Sequence, residues 1–289
     1  MLRQKYKQIF SKLEFSRLKG FCFKYAGEFY TGYCFLIYLT LFFIPFQIRK
    51  VLLPVWENGY FHETLSLSIY LTDILIILCI TCGIFVFWER IKKVWNIKKI
   101  GKSPILWAFL FILWQALTIF RAEHIGLALF RIFKLLEMIS FGVILYLWIF
   151  ASEELRSQIF VIKKFLLVIS FSGAIQAVWG ICQFLCQQSL GLKIFQESVI
   201  SPSILGVAKI ILGGKKYIRA YGGLSHPNIL AGFLLLSILC SVGLIFLNMF
   251  FDFGVDDKQK IEKSSKLTLV SRSYLTKLTL VLMGIQILG

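Results

Sequence analysis

The chain has little charge and very little acid. Asp, Glu, Lys and Arg make up only 16% of its 289 residues, against roughly 25% in a soluble domain. The 15 acidic residues face 32 Lys and Arg, a net charge of +17. No grouping of carboxylates, His or Cys has metal-ligand spacing, so no metal site and no cofactor are expected. No unit of roughly 20–50 residues repeats, which excludes solenoids and propellers. Residues 1–28 lack a clean apolar core and a small-residue cleavage site, which excludes a secretory signal peptide. No nucleic-acid motif accompanies the basic excess, and no nucleic-acid partner is expected.

What is present is apolar. The composition is 58% hydrophobic and 16% aromatic, with mean hydropathy +0.77. The apolar residues come in blocks near or above the ~18–20 that span a bilayer. This pattern defines an all-α, polytopic transmembrane helical bundle of about six complete spans plus a truncated seventh. The spans are expected at 29–48, 65–87, 104–120, 125–149, 162–185, 226–250 and 274–289, the last cut in mid-helix. The segments are then a basic amphipathic tail (1–28), spans one to five (29–185), a basic loop (186–225), span six (226–250), a linker (251–273) and the seventh span's start (274–289). In the tail, Phe10, Phe15, Leu18 and Phe21 form the apolar side of a surface-lying helix.

Lys and Arg accumulate in alternate loops, which orients the chain. The tail, the loop with Arg90, Lys92, Lys93, Lys98, Lys99 and Lys102, the loop with Arg156, Lys163 and Lys164, and the linker are assigned to the cytoplasm. Loop 186–225 falls on the outer side, yet carries Lys193, Lys209, Lys215, Lys216 and Arg219 with Glu197 as its one acid. Either an anionic ligand sits at the outer leaflet, or one loop of a basic protein is basic by chance. Membrane lipids are expected partners throughout.

Of the seven cysteines, Cys79 and Cys82 have redox-pair spacing, but their apolar flanks make both packing residues. Trp107, Trp114, Trp148 and Trp179 fit interfacial belts or packing. His124, near Arg121 and Glu123, reads as a solvated interfacial group. Ionisable residues inside spans are costly and mark function or paired packing. Asp73 lies in span two, and Arg131, Lys134 and Glu137 in span four. At 1.5 Å per residue, Asp73 lies ~12 Å and Lys134 ~13–14 Å from the outer ends of their helices. Asp73 is therefore expected to face Lys134 or Arg131, either as a packing pair or lining a polar cavity.

The most specific stretch is Arg219-Ala-Tyr-Gly222-Gly223-Leu-Ser225-His226-Pro227-Asn228-Ile-Leu-Ala231-Gly232. The glycines permit a tight path, Ser225 suits an N-cap and Pro227 a first helical turn. His226 and Asn228 then sit at a helix N-terminus whose free N–H groups, with Arg219, make a diphosphate cradle. The plainer alternative is a capped helix start beside an unremarkable Arg.

This motif, Arg-x-x-Gly-x-x-x-His-Pro-Asn-x-x-Ala-Gly after a basic outer loop, resembles the O-antigen ligase and O-antigen polymerase superfamily. Gln183 to Leu192, Glu197-Ser198 and Gly206 to Lys209 resemble the loop that precedes it there. Pro45 to Lys50 and Tyr70 to Asp73 resemble its first two spans. The resemblance implies a membrane glycosyltransferase of the bacterial inner membrane, and the Lys and Arg count sets its N-terminus in the cytoplasm. It would move a glycan from undecaprenyl-diphosphate to an acceptor: lipid A core, a growing polysaccharide or a protein. Arg219 would contact the diphosphate, Lys209, Lys215 and Lys216 would assist, and His226 and Asn228 would shape the site. The transfer would be metal-independent and inverting. The family's usual catalytic histidine would lie beyond residue 289, leaving this stretch alone inactive. A lipid-linked glycan flippase or other transporter, and a non-catalytic membrane subunit, are the alternatives.

Overall fold

A computed structural model describes residues 19–57, 60–61, 65–94, 104–250, 277 and 279–287. The expectations for residues 1–18, for the lysines at 98–102 and for the linker at 251–273 lie outside them.

The helices are α1 (Lys19–Phe43), α2 (Leu71–Val94), α3 (Pro104–Leu117), α4 (Ile125–Ile149), α5 (Leu155–Cys186), α6 (Pro227–Phe250) and α7 (279–287). Short strands are β1 (Arg49–Leu53), β2 (Trp56–Glu57), β3 (Tyr60–Phe61), β4 (Leu67–Tyr70), β5 (Lys209–Leu212) and β6 (Lys215–Ile218). They pair as β1 with β4, β2 with β3 and β5 with β6. The fold is mostly helical, as composition requires.

Among the described residues four segments are long and apolar enough to cross a membrane: Leu71–Ile91, Ile125–Ile149, Leu155–Cys186 and Pro227–Phe250. Glu28–Phe43 and Leu106–Arg121 are apolar but shorter, so six complete spans are not established by helix length. Large apolar side chains are exposed on these helices, among them Phe35, Phe85, Phe133 and Leu235. Water would penalise such surfaces, whereas acyl chains accept them; the protein is therefore read as a membrane protein.

Several boundaries move. α1 begins at Lys19 and ends at Phe43, so it starts within the expected tail and stops before residue 48. Residues 49–53 form a strand. Arg156, Lys163 and Lys164 lie on α5, not in a loop before it. At about 1.5 Å per residue α5 exceeds the ~30 Å hydrocarbon layer, so its basic first turns need not enter it.

The chain divides into two units, Met1–Thr40 with Lys50–Trp148, and Leu41–Arg49 with Ile149–Gly289. In the first, the Tyr33 ring meets Phe87 edge-on at 5.9 Å and Tyr38 meets Trp148 at 5.3 Å. Thr40 Oγ1 lies 3.2 Å from Cys79 Sγ, and Trp148 Nε1 donates to Cys34 Sγ at 3.4 Å. Cys79 is thus a buried packing group.

In the second unit, small residues bring α5 and α6 together. A Cβ on Gly173 would fall 1.9 Å from Ser237 Oγ. Ser237 Oγ donates to the Ile169 carbonyl, and Ser241 Oγ to Ser170 Oγ. Gln286 of α7 closes the cluster: its Nε2 donates to the Ser170 carbonyl and to Ser237 Oγ, and its Oε1 lies 3.2 Å from Ser241 Oγ as an alternative acceptor for that hydroxyl. Small hydroxyl and glycine faces of this kind let apolar helices pack closely in lipid.

Candidate functional site

The sequence motif lies in the second unit, where residues 187–226 connect α5 to α6. Two glutamines of α5, seven residues apart and so on one helix face, hold it. Gln183 Oε1 accepts from the N–H groups of Tyr221 (3.0 Å) and Gly222 (2.8 Å). Gln183 Nε2 donates to the Gly222 carbonyl and to Glu197 Oε1, both at 2.9 Å. All four hydrogen-bonding positions of that amide are used. Gln176 Oε1 accepts from Gly223 N at 2.7 Å. Both glutamines are fully buried.

The glycines are dictated by this approach. Gly222 has φ +60°, and a Cβ there would fall 2.7 Å from Gln176 Oε1. A Cβ on Gly223 would meet the Trp179 ring at 2.9 Å, and one on Gly180 would meet Ala220 at 3.1 Å. The backbone of 220–223 therefore lies directly against α5, and a side chain at Gly222 or Gly223 would collide with it.

Glu197 anchors the other side of the loop. Its Oε1 accepts from Leu190 N (2.7 Å), Gln183 Nε2 (2.9 Å) and Trp179 Nε1 (3.2 Å), and its Oε2 from Leu192 N (2.8 Å). Burial raises its pKa, but these donors, Gln183 first, outweigh burial and hold it below the ordinary 4.5. Trp179 also packs against Phe195 (5.7 Å) and Phe46 (6.4 Å). It serves packing here, one of its two expected roles.

β5 and β6 form a hairpin that the sequence reading treated as loop. Leu212 pairs with Lys215 and Lys209 with Ile218, across Gly213 and Gly214, both at positive φ. A two-residue turn of this kind is the favoured hairpin connection. Arg219 N donates to the Ala208 carbonyl at 3.0 Å, extending the ladder by one rung. Tyr221 Oη accepts from Ala208 N at 2.8 Å.

The pleat separates the basic residues. Side chains alternate between faces, so Lys209 and Lys216 take one face and Lys215 and Arg219 the other. Lys215 and Arg219 are four residues apart, about 13 Å along the strand. Lys209 Nζ donates to the Ile204 carbonyl at 2.8 Å. The four basic side chains thus do not form one cluster.

α6 begins at Pro227, with His226 as its cap rather than Ser225. His226 Nδ1 accepts from Asn228 N at 3.1 Å, and its carbonyl accepts from Ile229 N (3.0 Å) and Leu230 N (3.2 Å). Pro227 has no N–H. The expected free N–H groups are therefore consumed, and the helix start offers an anion only its dipole and its side chains. His226 and Asn228 are exposed, and Arg219 is half-buried. The Tyr221 ring lies edge-on to His226 at 6.2 Å.

In the first unit, Lys134 Nζ contacts Asp73 Oδ2 and lies 3.6 Å from Glu137 Oε2. Asp73 Oδ2 also accepts from Tyr70 N at 2.6 Å. Asp73 and Glu137 are buried. Arg131 is exposed instead, lining a hollow of about 260 Å³ with Gln115, Thr118 and Leu135. Of the two partners considered for Asp73, Lys134 is the one in contact.

Gln176, Gln183 and Glu197 received no role from the sequence. Two amides at i and i+7 in an apolar helix were the available signal. Among the described residues no group of three His, Cys, Asp or Glu could hold a metal ion. No family model, curated protein or solved structure matches the chain.

Proposed function

We propose that this protein is a multi-pass enzyme of the bacterial inner membrane, with its N-terminus in the cytoplasm and loop 187–226 outside. It transfers a glycan from undecaprenyl-diphosphate to an acceptor, as an O-antigen ligase or polymerase does. On this reading α1 and α3 cross the membrane too, giving six spans before α7. The observation that carries the proposal is the strapping of residues 220–223 onto α5 by Gln176 and Gln183. This fixes the backbone between Arg219 and His226, and so the places from which their side chains project.

Arg219 supplies a planar, permanently charged fork suited to a diphosphate. With His226 Nδ1 accepting from Asn228 N, a neutral ring carries its proton on Nε2, a second donor for the same anion. The Asn228 amide is a third. Donors placed where a leaving diphosphate gains charge favour its departure without metal. Lys209, Lys215 and Lys216 then act as a diffuse field rather than as direct ligands. A general base for the acceptor hydroxyl is a separate requirement, and no residue is assigned to it.

The test is undecaprenyl diphosphate binding to the protein in phosphatidylcholine nanodiscs. Arg219→Ala is expected to weaken binding at least about tenfold, and Arg219→Lys less, since Lys lacks the fork. Equal affinity of wild type and Arg219→Ala would sink the reading.

The buried Asp73–Lys134–Glu137 cluster favours a second reading, a transporter, because intramembrane charges also line translocation paths. Proton-coupled flux in proteoliposomes, lost in Glu137→Gln, would select it.

A further inference from the structure

The tip of the β5–β6 hairpin is apolar on both faces. Ile211 is 68% exposed and Leu212 55%, on opposite sides of the pleat, with Ile210 also exposed. Opposite them in the register stand Lys216, paired with Ile211, and Lys215, paired with Leu212. Each of the two rungs nearest the turn thus joins one exposed aliphatic side chain to one lysine. Nothing in the second unit covers these groups among the described residues.

Among the described residues the lysines also lack a counter-charge. Glu197 is the one acid in the loop, and its two oxygens already receive four donors. No described carboxylate pairs with Lys215 or Lys216. A surface that is both apolar and basic is unfavourable in water and complementary to one medium, an anionic lipid interface. There apolar groups enter the acyl boundary while lysines reach phosphate. The hairpin is also tethered at both ends to α5 and α6, which expose lipid-type surfaces themselves, such as Leu185 and Leu235.

We infer that Ile211, Leu212, Lys215 and Lys216 dock the hairpin onto the adjacent bilayer surface, on lipids with anionic headgroups. The contact turns the hairpin into a membrane-anchored platform and gives Lys215 and Lys216 a role distinct from Arg219. This inference needs the membrane reading but not the carrier reading. Either can fail while the other stands.

The test places a benzophenone amino acid at Ile211 in the full chain. The protein is reconstituted in nanodiscs of phosphatidylcholine alone or with phosphatidylglycerol at about three to one, then illuminated. Leu235, on α6, is labelled in parallel as a lipid-facing control, and Ser203 as a loop control. The expected result is phospholipid adducts at Ile211 and Leu235 but not at Ser203. With phosphatidylglycerol the Ile211 yield should rise at least about twofold, and K215E/K216E should abolish that rise. Adducts at Leu235 without any at Ile211 would overturn the proposal, as would Ile211 adducts with a second copy of the chain. A yield at Ile211 indifferent to phosphatidylglycerol would overturn the anionic preference.

Discussion

Gln183 and Gly222 bond to each other in both directions: Gly222 N–H donates to Oε1 at 2.8 Å, and Nε2 donates to the Gly222 carbonyl at 2.9 Å. The side-chain amide thus substitutes for a neighbouring peptide group. It satisfies loop backbone that would otherwise be buried without partners, a cost of about 1–3 kcal/mol per group.

Gln183→Ala should destabilise the protein by about 3 kcal/mol or more, since it strips the Tyr221 and Gly222 groups together. Gln183→Glu should keep the acceptor but set a carboxylate against Glu197, and recover stability as the pH falls. Thermal unfolding in detergent at neutral and acid pH checks both. An alanine variant as stable as wild type would show that the strap contributes little.

Gly222→Ala should be among the most damaging single-methyl additions. The residue sits at φ +60° with Gln176 Oε1 in the path of any Cβ, and left-handed backbone alone costs about 1–2 kcal/mol for an L-residue. Gly232→Ala on α6 meets nothing within 4 Å. It should be neutral or stabilise by up to about 1 kcal/mol through helix propensity. Opposite signs in the two unfolding midpoints are the expected outcome.

Glu197 imposes a pH dependence with a definite sign. Its folded pKa lies below the ordinary 4.5, so its contribution is full above that value and is lost as pH falls through the folded pKa. The environment of Trp179, whose Nε1 donates to Glu197, should change over that acid range. Glu197→Gln should flatten the change in a fluorescence titration. A wild-type midpoint at or above 4.5 would contradict the caging of this carboxylate.

Lys134→Ala should cost more than Asp73→Asn. The first leaves two buried carboxylates, Asp73 and Glu137, without their shared cation, and the second leaves Lys134 with Glu137. Removing one partner of a buried pair costs about 3–5 kcal/mol. Expression and melting of the charge-swapped pair, Asp73→Lys with Lys134→Asp, should exceed those of Lys134→Asp alone. No rescue would mean that the contact is incidental.

Much of the frame was legible in sequence, because apolar blocks must bury or meet lipid and their lengths map onto helices. The meeting of Asp73 with Lys134 was legible for a related reason: helical rise converts residue number into depth, and charges at equal depth seek each other. The Gly213–Gly214 turn between Leu212 and Lys215 carries a hairpin signal in sequence, but a local one, set in a long basic segment whose length and charge read as loop.

Other features had no local signal. Gln176 bonds a residue 47 positions away and Gln183 one 39 away; the partners meet only once the loop folds back on α5. Ser225 suits a cap in sequence, yet in the folded chain His226 Nδ1 takes the Asn228 N–H at the start of α6. Composition counted five basic loop residues as one field, and the period-two pleat divided four of them, Lys209, Lys215, Lys216 and Arg219, between two faces. Sequence by itself determined which segments are apolar and which charges they carry, since those follow from side-chain chemistry and spacing along one chain. Only the tertiary structure decided which groups share a face or a hydrogen bond, because that depends on directions in space that distant segments impose on each other.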